Sequence, residues 1–498
     1  MATKSEHPAV TLPVRVPILF WAGLILVQGI IYCLQPLWSA FAILLFVFLA
    51  AFAFAAITNT RWALSMVLMV ALLVPMRLFM LGVGKSILFD ISSLLILTLL
   101  LISLTVSAYR GERIIGATPL DGFLIALLIL AVINSLFSVN TSHTIHAWQH
   151  IIIPGPIIFY LVHTHFRTAP QVRKAFKLIF AIMLITGVYL LVEHTLKFNP
   201  VYHSLLISRS HHYAPFATIY RTLGFCGHFN FTGVAFAFII PFFIFGIQKA
   251  SGLKRRLFWI LATLIMILGL ATTYSRTSIL VLIIALILFS VRSWKIFLVT
   301  AGVLVMTMIV IVKANLFSFM QFRLNPRFLV NDPSLWHRLL MFDTCWRIFK
   351  DYPIFGAGLS SNFELYFQYK HPMDNLNYGV VDDQFLTFLC GTGTVGMIIL
   401  LGLFARILAF IRRHNHKGQS VLIKYFRNVA IIGIIAFLLN SLNSDPLDWV
   451  YTNLLFWFVI ALVIRLLQLP NSEMPKFFRL YGYEENSPQL QPIENPPK

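Results

Sequence analysis

Apolar runs of about 18 residues, separated by short polar stretches, recur from one end of this chain to the other. An α-helix of that length is what crosses the roughly 30 Å hydrocarbon layer of a bilayer. The runs fall at 17–34, 37–58, 62–83, 88–108, 119–138, 147–166, 175–195, 223–247, 257–274, 277–291, 296–313, 384–411, 426–443 and 450–467. Backbone polar groups in lipid must be bonded within their own segment, so the pattern predicts helices throughout. The expected fold class is an all-α integral membrane protein, a polytopic helical bundle with about 12–14 transmembrane helices. The first run is too long for a signal-peptide core and has no small-residue cleavage site, so it reads as a retained span. The sixth is the weakest, because Pro154 and Pro156 interrupt it.

Two longer polar stretches stand out. The first, 197–222, carries Lys197, Arg209, Arg221, His203, His211 and His212 and no acidic residue. The second, 314–381, is the only long segment without a span, and loops of that size usually carry function. Within it Leu335, Leu339, Phe342, Trp346 and Phe349 recur at helical spacing, which predicts an amphipathic helix begun by Pro333 and Ser334 and ended before Pro353. Such a helix can lie along a membrane interface. The division is then a polytopic membrane domain over 1–470, with the large loop at 314–381, and a polar, proline-rich tail at 471–498 expected to be disordered and cytoplasmic.

Composition agrees with the pattern. Of the 498 residues 59% are hydrophobic and 11% charged, against about 25% charged in soluble domains. The net charge of +20 invites a nucleic-acid partner, but its distribution argues against one. Basic residues cluster in short acid-free loops: Arg167, Arg173, Lys174 and Lys177; Lys249, Lys254, Arg255 and Arg256; Arg406, Arg412, Arg413, Lys417 and Lys424. That is the asymmetry of cytoplasmic loops, and with the N-terminus inside all three clusters fall on one side. The loops 197–222 and 314–381 then face outward. Cys33, Cys226, Cys345 and Cys390 have no CxxC spacing, so neither metal nor redox chemistry is indicated. No internal repeat is visible, which weakens an inverted-repeat transporter.

The candidate chemistry begins at 269–278, GLATTYSRTS, where one span closes and the next opens at Ile279. An arginine at the bilayer centre costs roughly 2.5–3.5 kcal/mol. Arg276 is therefore either a snorkelling side chain at a helix end or a cation held at the membrane surface for an anionic, lipid-linked substrate. In chain order, RTLGFCGHFN from Arg221, TYSRTS from Thr273, RLLMFDTCWRIFKDYPIFGAGLSSNF from Arg338 and DDQFLTFLCGTGTVG from Asp382 make four blocks. In this order, with the long loop between the second and the last, the blocks resemble the O-antigen ligase and Wzy-type polysaccharide polymerase family over about 221–402.

That resemblance implies a GT-C-like glycosyltransferase in the bacterial inner membrane, with its active site facing the periplasm. It implies a donor glycan on undecaprenyl diphosphate and an acceptor glycan or glycolipid. Lipid A–core is the acceptor for O-antigen ligases and a second lipid-linked unit for polymerases, with a chain-length regulator as a candidate partner. No metal or cofactor is implied, because arginines supply the positive charge. Bottom-up chemistry points the same way, since guanidinium groups bind phosphate oxygens bidentately and stabilise a departing diphosphate. The candidate phosphate ligands are Arg221, Arg276, Arg338 and Arg77, with snorkelling the plain alternative for Arg77 and a solvated helix face for Arg338. Family ligases commonly carry a His-Asn pair before the span that follows the long loop. Asp382 and Asp383 stand there instead, which favours a polymerase or a related exopolysaccharide enzyme. Either carboxylate could orient or deprotonate an acceptor hydroxyl, or simply cap the helix.

His228 and Asn230 could bind phosphate or sugar, or could cap the eighth span. Gly356 and Gly358 suit close backbone approach or a turn, Gly393 and Gly396 tight helix packing, and Trp336, Trp346, Tyr366 and Tyr369 sugar stacking or interfacial anchoring. A flippase for lipid-linked glycans would carry charge along a central pathway. The spans here are nearly free of charge.

Overall fold

The computed structural model describes residues 36–74, 80–83, 86–109, 111, 117–199, 220–290, 302, 333–374, 381–414 and 421–482. The expected spans 17–34 and 296–313, the start of the long loop at 314–332, Arg77, the histidines at 203, 211 and 212, and the end of the tail at 483–498 lie outside those residues. The chain divides into two compact units, residues 1–63 and 64–498. The helix α1 (Pro36–Thr58) belongs to the first, and α2 (Thr60–Leu73) begins at the boundary.

The protein is a polytopic helical membrane protein. Eight described helices are long and apolar enough to span a bilayer, and four shorter apolar helices accompany them. In chain order come α3 (Ile91–Tyr109), α4 (Asp121–Leu136), α5 (Thr141–Ile152), α6 (Ile158–His165), α7 (Ala169–Leu196), α8 (Phe229–Lys249), α9 (Leu253–Thr272) and α10 (Arg276–Ser290). Then follow α11 (Pro333–Asp351), α12 (Asn362–Tyr369), α13 (Gln384–Arg413), α14 (Val421–Asn440), α15 (Val450–Gln468) and α16 (Met474–Phe478). At the centre lie α8 and α15, both buried over nearly their whole length. Their sequences, apolar on every face, are suited to that position.

Two expectations need correction. The run 62–83 is not one span, because α2 stops at Leu73, ahead of Pro75, whose ring forbids helix continuation. The chain instead forms a small antiparallel hairpin, β1 (Met80–Val83) with β2 (Ser86–Asp90), within the helical fold. The expectation of a disordered tail is overturned over 471–482. Residues 471–482 form short helical turns with Met474, Phe477, Phe478 and Tyr481 buried. The apolar stripe expected on α11 is present and faces outward: Leu339, Phe342 and Trp346 are exposed, while Met341, Cys345 and Ile348 are buried against Tyr366 and Cys390. This helix has two apolar faces, and periodicity alone does not say which one packs.

Two helices are broken and repaired. The prolines of the sixth run produce a π-helical turn at Ile153–Ile157 joining α5 to α6. Proline donates no N–H, so carbonyls one turn earlier lose partners. The side-chain amide of Asn453 donates to the carbonyls of His150 (2.9 Å) and Ile151 (3.1 Å) instead. In α13 the break is at Gly393, with φ 64° and ψ −162°. The loop 353–358 lies alongside it as a short strand would. Ala357 and Gly358 N–H donate to the carbonyls of Cys390 and Gly391, both at 2.9 Å, while Thr394 and Val395 N–H donate to those of Pro353 and Ile354. Irregular backbone is tolerated within a membrane protein when protein groups satisfy it in this way. A Cβ on Gly393 would lie 2.4 Å from the Ile354 carbonyl oxygen, and one on Gly356 2.3 Å from the α13 backbone. Close approach, not a simple turn, is therefore what these glycines serve.

At one end of residues 64–498 the basic clusters and the tail come together. Arg173 donates to the Lys476 carbonyl, Arg255 to the Gly482 carbonyl, and the Lys249 ammonium lies 4.0 Å from the Tyr425 ring centre. The opposite end gathers the turns at 220–232, 273–278, 381–387 and 440–449.

Candidate active site

The turn before α8 is fixed from several sides. Thr222 N–H donates to the Thr272 carbonyl, the two threonine hydroxyls bond at 2.9 Å, and the Thr232 hydroxyl donates to the Leu223 carbonyl at 2.8 Å. Gly224 and Gly227 have φ of 62° and 74°, which lets the chain double back before the helix. Arg221 projects from this turn with its guanidinium 4.6 Å from the Phe229 ring centre, a cation–π contact that also uses the planar group's stacking preference.

His228 is the N-cap of α8: its Nδ1 accepts from Asn230 N–H at 3.3 Å. Its ring stacks on Phe229 and lies 5.9 Å from Trp449, which in turn stacks on Phe231 at 4.7 Å. Asn230 faces the turn that carries Arg276. Ser275 Oγ donates to Asn230 Oδ1 (3.3 Å) or to Ser278 Oγ (3.0 Å), and Ser278 Oγ donates to Asn440 Oδ1 (2.8 Å). These bonds tie the adjoining ends of α8, α10 and α14 together on either side of Arg276, the first residue of α10. Tyr274 takes a left-handed conformation (φ 52°) to make the tight reversal.

Asp383 is the N-cap of α13, its Oδ1 accepting from Phe385 and Leu386 N–H at 2.8 and 3.0 Å. Burial pushes its carboxyl up, against the downward pull of those two donors. Asp382 beside it is half-buried. The turn 441–449 closes over this helix start: Gln384 N–H donates to the Ser441 carbonyl, Leu447 N–H to Gln384 Oε1, and Thr387 Oγ1 to Asp445 Oδ2 (2.9 Å). Asp445 Oδ1 is shielded from solvent with no hydrogen-bond partner. Burial first, then the charge of Asp448 and those of Asp382 and Asp383, hold the Asp445 carboxyl well above the usual carboxylate range, with only the Thr387 bond opposing. Asp448 is raised by burial, with His150 acting in the other direction. Four carboxyl groups therefore share one partly desolvated mouth.

Arg338 is half-buried on α11, at the seam between its buried and exposed faces. One turn later Met341 joins the cluster that contains Val381, the neighbour of Asp382. The preceding residue, His337, bonds through Nδ1 to Asp374 Oδ2 (2.9 Å), which also accepts from the Tyr366 hydroxyl at 3.0 Å. Tyr366 is fully buried in this packing and Cys345 lies under it, so Tyr366 has no free ring face for a sugar. Cys226, Cys345 and Cys390 are free thiols.

Residues 261–401 match the family described as O-Antigen ligase. Over that stretch the chain is similar to O-antigen ligases. No curated protein matches the chain. The family segment holds the Arg276 turn, α11, α12, the Asp382–Asp383 pair and the glycine-broken start of α13. It stops short of the 220–232 and 440–449 turns that pack against it at the site. Sequence reasoning passed over Asn440, Asp445, Asp448 and Trp449. The segment SDPLDW between two spans looks like an ordinary turn, and only its contacts with Gln384 and Thr387 mark it as part of the site.

The family's activity is of the O-antigen ligase or polymerase type, in polysaccharide synthesis. The arrangement suits it. Two turns present arginines from rigid helix ends, and a set of carboxyl groups with raised proton affinity sits at the adjoining helix start.

Proposed function

We propose that this protein is an inner-membrane glycosyltransferase that takes a glycan from undecaprenyl diphosphate and joins it to a sugar hydroxyl on the periplasmic side. What supports this most is the hydrogen-bonded group Asn230–Ser275–Ser278–Asn440, which immobilises the turn bearing Arg276 at the end of the bundle opposite the basic loops. Preorganised cations lower a barrier because they need not reorient as charge develops on the leaving group. Arg221 and Arg276 bind the diphosphate in this scheme, Arg338 joins them from α11, and Asp382 receives or orients the acceptor proton. Asp383, already engaged as the helix cap, keeps a structural part. His228 and Asn230 serve as cap and turn anchor, with the Phe231–Trp449 pair beside them as a surface for the glycan.

The acceptor is a second lipid-linked glycan in preference to lipid A–core, since carboxylates occupy the positions where ligases carry His-Asn. The test is purified protein in lipid nanodiscs with an undecaprenyl-diphosphate oligosaccharide, offered either alone or with lipid A–core. A ladder of products without lipid A–core is the expected result. Transfer only to lipid A–core makes the protein a ligase, and no transfer by any preparation in which Arg276→Ala and wild type bind donor equally removes the diphosphate reading.

A further inference from the structure

Glu193 is the one acidic side chain in α7, and it is fully buried. Nothing in the scheme above uses it. A carboxylate in a membrane helix is costly enough to require an occupation. Its surroundings name one: Oε1 accepts from Leu223 N–H at 2.9 Å and from the Tyr220 hydroxyl at 3.1 Å, and Oε2 accepts from Gly224 N–H at 2.9 Å. Every one of these donors belongs to the turn that carries Arg221. The clasp continues through Asn199, three residues beyond the end of α7, whose amide reaches the Gly224 carbonyl (3.4 Å) and whose Oδ1 accepts from Tyr189 at 2.6 Å. Tyr189 stacks on Phe225 with ring centres 4.3 Å apart.

We infer that Glu193 is a positioning residue for donor recognition: its carboxylate holds the 220–224 turn in the shape that aims the Arg221 guanidinium at a lipid-linked diphosphate. A carboxylate is the right group because it offers two oxygens to two successive backbone N–H groups, which no neutral side chain can do without turning a donor toward a donor. Phe229 supplies the second support, a flat surface under the guanidinium. The inference rests on the proposed role of Arg221 in binding the donor diphosphate.

The experiment measures binding of undecaprenyl diphosphate, without glycan, to the full-length protein in detergent by tryptophan fluorescence. It uses wild type, Glu193→Gln, Tyr220→Phe, Arg221→Ala and the double variant Glu193→Gln/Arg221→Ala. Arg221→Ala should weaken binding, and Glu193→Gln should weaken it by roughly three- to thirtyfold, the worth of one or two buried hydrogen bonds. The double variant should bind no more weakly than Arg221→Ala alone, because positioning an absent arginine has no effect. Tyr220→Phe removes one contact and leaves the carboxylate in place, so it should give a smaller loss of the same kind, and it decides the matter if Glu193→Gln does not fold. In turnover assays the loss should fall on KM for the donor more than on kcat. Additive losses in the double variant, or a folded Glu193→Gln that binds like wild type, overturn the positioning role. If Arg221→Ala itself binds normally, it is the diphosphate reading of Arg221 that fails, and the two failures are thereby told apart.

Discussion

Asn134 offers the sharpest test of how the loop after α11 is held. It is buried in α4 and makes four hydrogen bonds. Its Nδ2 donates to the carbonyls of Phe355 (2.7 Å) and Gly391 (2.8 Å), and its Oδ1 accepts from Trp148 Nε1 (3.0 Å) and Leu359 N–H (3.1 Å). One amide thus joins α4, α5, the loop after α11 and the break in α13. In Asn134→Ala the Gly391 carbonyl keeps its bond from Gly358 N–H, but the other three groups lose the partner described here. A buried polar group stranded in this way costs about 1–3 kcal/mol, so the variant should lose about 3 kcal/mol at least. At about 2 °C per kcal/mol for a large domain, the melting temperature in detergent should fall by roughly 6 °C. Trp148→Phe strands only the Asn134 oxygen's share and should fall less, and the two together should be less than additive. Glycan transfer should decline with Asn134→Ala even below the melting transition, because the loop anchors α11 and Arg338. A melting temperature within about 1 °C of wild type would mean that the Asn134 bonds contribute nothing net, which ordinary hydrogen-bond energetics do not allow for a dry site.

Three further outcomes are expected. Asp382→Asn should lose most transfer while binding undecaprenyl diphosphate normally, and Asp383→Asn, which keeps a capping oxygen, should lose less transfer, whereas Asp383→Ala should lower thermal stability by about 1 kcal/mol, as a lost helix cap does; equal transfer by Asp382→Asn and wild type would remove Asp382 from the chemistry. The Asp445 carboxyl is raised in the folded protein, so its contribution to stability is fully present below its ordinary value of 3.8 and is lost as pH rises through the folded value. Thermal stability followed upward from pH 4 should therefore decline less steeply in Asp445→Asn than in wild type, and parallel curves would count against the shift. Gly393→Ala places a side chain on a backbone conformation open almost only to glycine, at about 1–3 kcal/mol before any clash with the Ile354 carbonyl, whereas Gly122→Ala, with open space around it, should be neutral or slightly stabilising; similar melting temperatures for the two would refute the reading of Gly393 as an obligatory break.

The spans were legible because a membrane imposes one requirement, length of apolar helix, and sequence displays length directly. Hydropathy joined 62–83 into one span because it does not weigh Pro75 or the glycines at 82 and 84, which favour a hairpin. On α11 the spacing of Leu339, Phe342 and Trp346 announced an apolar stripe correctly but not its direction, since Met341, Cys345 and Ile348 form a second one. The candidate site was legible only where residues are chemically loud. Arginines and paired aspartates attract notice, whereas the groups that hold them are single polar residues within apolar runs. Asn134, Glu193, Asn440 and Asn453 each stand nearly alone in a span, and each proves to bond backbone or side chains of a different element. The physical signal was present, because an amide or carboxylate placed in an apolar helix must be satisfied by something distant in sequence. What sequence lacks is the partner, as the bonding distances of 134 to 391 and 193 to 224 depend on a break at Gly393 and a reversal at Gly224 that only the folded backbone reveals. In this protein the isolated polar residue inside a span is therefore a better guide to how the site is built than the charged residues at its mouth, and Glu193 is where that difference can be measured.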